Sequence, residues 1–228
     1  MLVGDSTEIP TVTAAEMAEI DRVMVEDLGV ELLQMMENAG RSLARLAMQR
    51  FAPQSVVVLA GPGGNGGGGL VAARHLMNHG VAVEVARSHD RFHPVPRHQY
   101  EILERMKVHE VDEPSSPDLV IDALLGYSLE GDPRGRSAEL IEWSNRSGLP
   151  VLSLDTPSGL DVTSGESGSP CVTATATMTL ALPKRGLIGA AEVGDLYLAD
   201  ISVPPSVYAA MGLGDLNPFT DDWIVRLG

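Results

Sequence analysis

Val56-Val57-Val58-Leu59-Ala60 is an unbroken apolar run with no polar alternation, the pattern of a strand buried on both faces of a parallel sheet. Similar runs follow at Val81–Ala86, Asp118–Ala123 and Pro150–Asp155. Between them the apolar period changes to that of a helix, over Leu70–Leu76, residues 97–107 and residues 136–147. Upstream, Thr13 and Glu16 form a capping pair ahead of Met17, Ile20, Val23 and Met24, which predicts a helix over 13–27 that Gly29 ends. A second helix is predicted over about 31–50, with Leu32, Leu33, Met36, Leu43, Leu46 and Ala47 as its stripe. Thr173–Leu182 and Asp195–Ile201 read as late strands, divided by the turn-rich Pro183-Lys184-Arg185-Gly186. Strands alternating with helices imply right-handed βαβ crossovers. The prediction is an α/β fold: a three-layer α/β/α sandwich with a mostly parallel central sheet and two N-terminal helices. One domain is expected over 1–228, with 1–12 and about 206–228 as peripheral tails.

Composition narrows the class. A chain of 228 residues, 44% hydrophobic and 21% charged, is ordinary for a soluble globular domain. No apolar run reaches the roughly 20 residues that cross a bilayer, so no membrane association is expected. The first eight residues lack the basic and apolar regions of a secretory signal. A single cysteine, Cys171, excludes an internal disulfide, and the expected location is cytoplasmic. A formal charge of −15 argues against nucleic acid as a partner. The basic residues are 14 Arg and two Lys, Lys107 and Lys184, a balance that suits either a salt-rich cytoplasm or simple genome composition.

In such sheets ligands bind at the carboxyl ends of the strands. The first strand runs into Gly61–Gly69, nearly free of side chains, where positive φ and a cradle of N–H groups before a helix are expected to suit a phosphate. The third runs into Asp122–Asp132 and the fourth into Asp155-Thr156-Pro157-Ser158-Gly159-Leu160-Asp161. Asn65, Asp122 and Ser158 offer hard oxygen donors to a cation. Gly61, Gly63 and Gly66 also match G-x-G-x-x-G, but a dehydrogenase wants an acidic residue after the second strand, and here that strand ends Ala86-Arg87-Ser88. His75 and His79 lack the glutamate of a zinc-protease helix, and His89 and His93 lack ligand-spaced neighbours. Cys171 has no nearby basic group to activate it. Met35-Met36 reads as helix-packing surface.

Three stretches together resemble the NAD(P)H-hydrate epimerases, the YjeF N-terminal domain family: Gly61–Gly67 with Gly69–Leu76, Asp122–Gly126, and Asp155–Asp161. Met35-Met36-Glu37-Asn38-Ala39-Gly40-Arg41 resembles its N-terminal helix signature; Leu180–Lys184 and Gly194–Ile201 resemble its C-terminal strands. The resemblance implies a Rossmann-like fold, a homodimer, and epimerisation of NADH and NADPH hydrated at C6 of the reduced ring. A separate ADP- or ATP-dependent dehydratase, for which 228 residues leave no room, is the implied functional partner. Potassium is the implied cofactor, with Asn65, Asp122 and Ser158 as its ligands. Implied hydrate-binding positions are Gly64, Asn65, Gly66, Gly67, Gly68, Gly126, Tyr127, Ser128, Leu129, Glu130, Gly131, Asp132 and Asp155. Gly64 and Gly68 stand where the family usually has Asn and Asp. That departure motivates an alternative, a non-catalytic nucleotide-binding or scaffold module on the same fold.

The chemistry sets its own requirement. C6 bears a hydroxyl and the ring nitrogen, so the nitrogen lone pair expels the hydroxyl as an iminium forms, and water returns to either face. Asp155 is the expected acid–base group, protonating the departing hydroxyl and deprotonating returning water, a role favoured by a carboxyl pKa raised through burial. Lys184 is expected either to touch a phosphate or ribose or to be a surface lysine at a strand end.

Overall fold

The structure is a computed structural model describing residues 3–4, 9–219 and 222–227. Among these residues nine strands form one sheet in the order β1-β9-β8-β7-β6-β5-β2-β3-β4. The centre is β7 (Ala176–Leu180), β6 (Val151–Leu154), β5 (Leu119–Ala123), β2 (Ser55–Ala60) and β3 (Ala82–Arg87), all parallel. β8 (Asp195–Ala199) continues it in parallel, and β9 (Ile224–Leu227) joins antiparallel. Two-residue strands, β1 (Val3–Gly4) and β4 (His109–Glu110), sit at the edges.

The period of two along β2 explains the layers, since successive side chains point to opposite faces. Val56 and Val58 join Leu43 and Leu46 of α2 (Leu32–Phe51), Leu70 and Leu76 of α3 (Gly64–Asn78), and Leu103 of α4 (Pro94–Arg105). Val57 and Leu59 join Leu140 and Ile141 of α5 (Gly135–Ser147) on the other face. The three-layer α/β/α architecture is therefore observed.

The first predicted helix divides. α1 (Ala14–Arg22) begins at the expected capping box, with the Glu16 N–H donating to Thr13 Oγ1 at 3.2 Å and the Thr13 N–H donating to Glu16 Oε2 at 2.7 Å. From Val23 to Asp27 the chain continues as a π-helical turn. α1 is tied to the sheet end by a parallel bridge between Val12 and Lys184, and by the Ala14 N–H donating to Thr163 Oγ1 at 3.1 Å. The expected tails are integrated where they are described. α6 (Pro205–Ala210) buries Val207 and Tyr208, and β9 pairs with β8. Short elements of four to six residues carry too little periodicity to announce themselves.

The largest difference is the glycine stretch. α3 starts at Gly64, so Gly64–Gly69 are helical rather than a loop, and none of Gly61–Gly69 has positive φ. What glycine provides is close approach. A Cβ on Gly66 would lie 1.8 Å from the Gly61 carbonyl oxygen, and one on Gly69 would lie 2.5 Å from Ala123 Cβ. The missing side chains let the first turns of α3 settle directly on the ends of β2 and β5.

Candidate active site

The chain runs outward from β2 to β3 and β4 on one side and from β5 to β8 on the other, so the order reverses between β2 and β5. A cavity of about 690 Å³ opens at the carboxyl ends there, within the ordinary size range for small-molecule sites. The start of α3, the loop after β5 and the end of β6 line one side, and α1 and α2 close the other.

Asp155 follows β6 and lines this cavity. Its backbone is left-handed, φ +66°, an uncommon conformation for a non-glycine residue that Asp tolerates better than most. Its side chain is 5% exposed and forms an ion pair with Lys184, itself 1% exposed. Lys184 Nζ donates to Asp155 Oδ1, to Thr179 Oγ1 at 3.2 Å and to the Leu180 carbonyl at 2.9 Å. Asp155 Oδ1 is thereby held, while Oδ2 accepts no hydrogen bond among the described residues. Lys184 is thus neither a surface lysine nor a cavity-wall phosphate contact. It is the buried counter-charge of Asp155.

Asp122, the last residue but one of β5, is fully buried. It accepts from Ser153 Oγ at 2.8 Å, Ser158 Oγ at 2.6 Å and the N–H groups of Ser158 and Leu124 at 2.9 and 3.3 Å. Burial pushes its carboxyl up and these donors pull it down. Asn65, in the first turn of α3, donates its amide to the carbonyls of Leu125 (2.8 Å) and Leu154 (3.0 Å). Ser158 Oγ accepts from the Leu125 N–H at 2.9 Å. Asn65, which lines the cavity, and Asp122 and Ser158 behind it therefore converge on the Leu125 backbone and its neighbours. The buried carboxylate has no salt-bridge partner among the described residues, and the neighbouring donor atoms are hard oxygens. Oxygen donors of this kind suit a hard cation rather than a soft, thiolate-seeking metal.

Of the other expected positions, Gly64, Asn65, Gly68, Gly126, Tyr127, Ser128, Leu129 and Glu130 line the cavity. Gly66 and Gly67 do not, being packed against Gly61 and against Met36. Gly131 and Asp132 are also set back, and Asp132 caps the Ser169 N–H at 2.9 Å. Cys171 is part-buried, with its thiol pushed up to about 12 by burial, in keeping with an inert thiol. Glu37, inside the resembling helix signature, bridges α2 to Arg74 and His75 of α3, with His75 Nε2 2.9 Å away. Several cavity residues escaped the sequence reading, Ala18, Arg22, Val25 and Glu26 among them, and one more bears directly on the chemistry. Asp21 of α1 faces the cavity and accepts a 2.6 Å hydrogen bond from the Tyr127 hydroxyl. A sequence signal was present, since Asp21 stands four residues after Met17 and three before Met24, on the buried stripe.

Comparison with known proteins identifies the family. The chain is 46% identical to the NAD(P)H-hydrate epimerase of Dehalogenimonas lykanthroporepellens, over 98% of this chain and 95% of that protein. It is 41% identical to the NAD(P)H-hydrate epimerase of Truepera radiovictrix, over 88% of this chain and 94% of that one. It is 42% identical to the bifunctional NAD(P)H-hydrate repair enzyme Nnr of Hyperthermus butylicus, of which it covers 41%. A crystal structure of the yeast protein ynu0 superposes with a TM-score of 0.85 at 27% identity, covering 96% of this chain and all of that one. Residues 32–186 match the sequence model of the YjeF-related protein N-terminus. On this match and on the near full-length identity to the two epimerases, the chain belongs to the YjeF-related N-terminal family.

Proposed function

We propose that this chain interconverts the R and S forms of hydrated NADH and NADPH, with Asp155 as an acid–base group. The observation that carries the reading is a buried, lysine-paired carboxylate facing the cavity at the sheet's reversal point, in a chain nearly half identical to a named epimerase. The amide groups opening α3 and its dipole suit a ligand phosphate, and Gly64 and Gly68 leave the backbone open there. The cavity holds the hydrated ring beside Asp155 Oδ2. The nitrogen lone pair then drives out the C6 hydroxyl as water when a proton is supplied. Water returns to C6 as Asp155 takes its proton. Lys184 and Thr179 fix Oδ1, which orients the second oxygen toward the ring.

Asn65, Asp122 and Ser158 would hold potassium, whose charge would balance Asp122 and lock the loops after β5 and β6. Relatives named bifunctional NAD(P)H-hydrate repair enzymes support a second, linked repair activity, and an ADP- or ATP-dependent dehydratase is the functional partner proposed for it. A homodimer in the cytoplasm completes the proposal; no helix among the described residues is long and apolar enough to cross a membrane. The scaffold alternative is disfavoured by the epimerase relatives and by a cavity that keeps its buried carboxylates. The deciding experiment mixes purified protein with chirally resolved hydrates and follows their equilibration. Accelerated equilibration that Asp155→Asn lowers about 100-fold or more, the ordinary contribution of a general acid–base group, is expected; a fully active Asp155→Asn removes Asp155 from the mechanism.

A further inference from the structure

Epimerisation poses a geometric demand that one carboxylate does not meet. The hydroxyl of one epimer leaves from one face of the ring, and water must add to the opposite face to give the other epimer. Proton transfer is therefore needed on both sides of the ring. Four carboxylates line the cavity; Glu26 and Glu130 are exposed, and the two sheltered ones come from different walls: Asp155 from the end of β6, and Asp21 from α1, which closes the cavity from outside the sheet. We propose that Asp21 is the second catalytic carboxylate, serving the ring face opposite Asp155 and held there by Tyr127. This rests on the epimerase reading above.

The surroundings of the two carboxylates differ in the sense that the chemistry needs. Asp155 lies against an ammonium group. Asp21 has only a phenol: the Tyr127 hydroxyl donates to Oδ2, and Oδ1 accepts no hydrogen bond among the described residues. Burial raises the Asp21 carboxyl, opposed by the Tyr127 hydrogen bond and by the charge of Lys184, and reinforced by the charge of Asp155. Arg22, the next residue, is occupied by Glu19, Glu26 and Asp27 on its own helical segment. Paired carboxyls in unlike surroundings are how acid and base are divided in other sites. In one direction, Asp21 gives its proton to the C6 hydroxyl. The C6–O bond breaks, its electron pair leaves with water, and the N1 lone pair closes the C6=N1 iminium. Water on the other face bonds to C6, the iminium pair returns to N1, and Asp155 takes the released proton. One proton passes from Asp21 to Asp155, and the reverse reaction or exchange with solvent restores it. Placement is secured from both sides, because the Val12–Lys184 bridge and Thr163 anchor α1 while Tyr127 comes from the loop after β5.

The test uses resolved hydrates in water enriched in oxygen-18, with wild type, Asp21→Asn and Asp155→Asn. Asparagine keeps the volume and an acceptor for Tyr127. Wild type is expected to interconvert the epimers and label both. Asp21→Asn is expected to interconvert them at least 100-fold more slowly while still labelling one epimer with retention, on the face that Asp155 serves. Asp155→Asn is expected to favour labelling of the other epimer. An Asp21→Asn variant that interconverts within threefold of wild type, or that loses labelling of both epimers equally, overturns the proposal. A wild type that leaves both hydrates at the uncatalysed rate overturns the epimerase reading itself. Should Asp21→Asn fail to fold, Tyr127→Phe supplies the readout. Losing the phenol donor raises the Asp21 carboxyl further, so the carboxyl-governed limb of the pH–rate profile moves to higher pH; an unmoved limb overturns the proposal.

Discussion

Replacing Lys184 with methionine tests the assignment of the buried pair directly. Both side chains are almost inaccessible, 1% and 5% exposed, so solvent does little to screen the charge left behind. Methionine preserves most of the lysine stem but strands Asp155 as an uncompensated buried carboxylate and removes the donor to Thr179 and to the Leu180 carbonyl. Breaking a buried pair from one side costs about 3–5 kcal/mol, which at this chain length lowers the melting temperature by roughly 6–20 °C. The assay is urea unfolding of wild type, Lys184→Met, Asp155→Asn and the double variant. Removing both charges leaves neither stranded, so the double variant is expected to be more stable than the sum of the single losses allows, by about 2 kcal/mol or more. A Lys184→Met variant within about 1 kcal/mol of wild type, or additive losses, would refute the view that the two groups act as one unit.

Three further outcomes follow from the same geometry. Burial raises the Asp21 carboxyl, so the folded state is penalised once pH climbs above the ordinary carboxylate range and through that raised value; Asp21→Asn should therefore be more stable than wild type at pH 8 and lose this advantage near pH 4, as read by urea unfolding. Gly66→Ala places a Cβ against the Gly61 carbonyl and is expected to cost about 3 kcal/mol or more, whereas Gly64→Ala meets no atom within 4 Å and should stabilise the first turn of α3 by about 0.5–1 kcal/mol; equal melting temperatures would contradict the packing account. Gly68→Asp carries no left-handed strain, but its Cβ would lie 2.7 Å from a methyl of the buried Leu154, which must turn aside before the carboxylate can accept from a ribose hydroxyl; where the variant remains stable, steady-state kinetics should show a lower KM with kcat within about threefold, as uniform binding predicts, and a stable variant with unchanged KM would sink that explanation.

Much of this site was legible because its scaffold is written in continuous apolar runs. β2, β5 and β6 are buried on both faces, and the strand-end rule then directs attention to Asn65, Asp122 and Asp155. The glycine stretch misled because intrinsic propensity places glycine outside helices. Contacts with Gly61 and Ala123, made by residues distant in sequence or in an adjoining turn, override that preference. The start of α4 at Pro94, three residues earlier than expected, did carry a local signal in the proline at its first position. Lys184 carried none: its partner lies 29 residues away, and a lone lysine in a turn-rich stretch gives no sign of burial.

The scarcity of lysine sharpens the meaning of this one. The chain uses 14 arginines and only two lysines, so its cationic surface is almost entirely guanidinium. Lys184 is nonetheless the cation paired with Asp155, and its surroundings explain why arginine would serve poorly. Three acceptors converge on Nζ, from Asp155, Thr179 and Leu180, matching the three N–H groups of an ammonium. A guanidinium brings five donors in a rigid planar fork, so at least two would remain unsatisfied in a fully buried space, and its extra volume would press on Asp155. The compact tetrahedral cation fits a carboxylate whose other oxygen must stay turned toward the cavity. Placing Lys184 at the turn after β7 also joins it to Val12, so the residue that orients Asp155 also sits in the bridge that anchors α1 and, through it, Asp21.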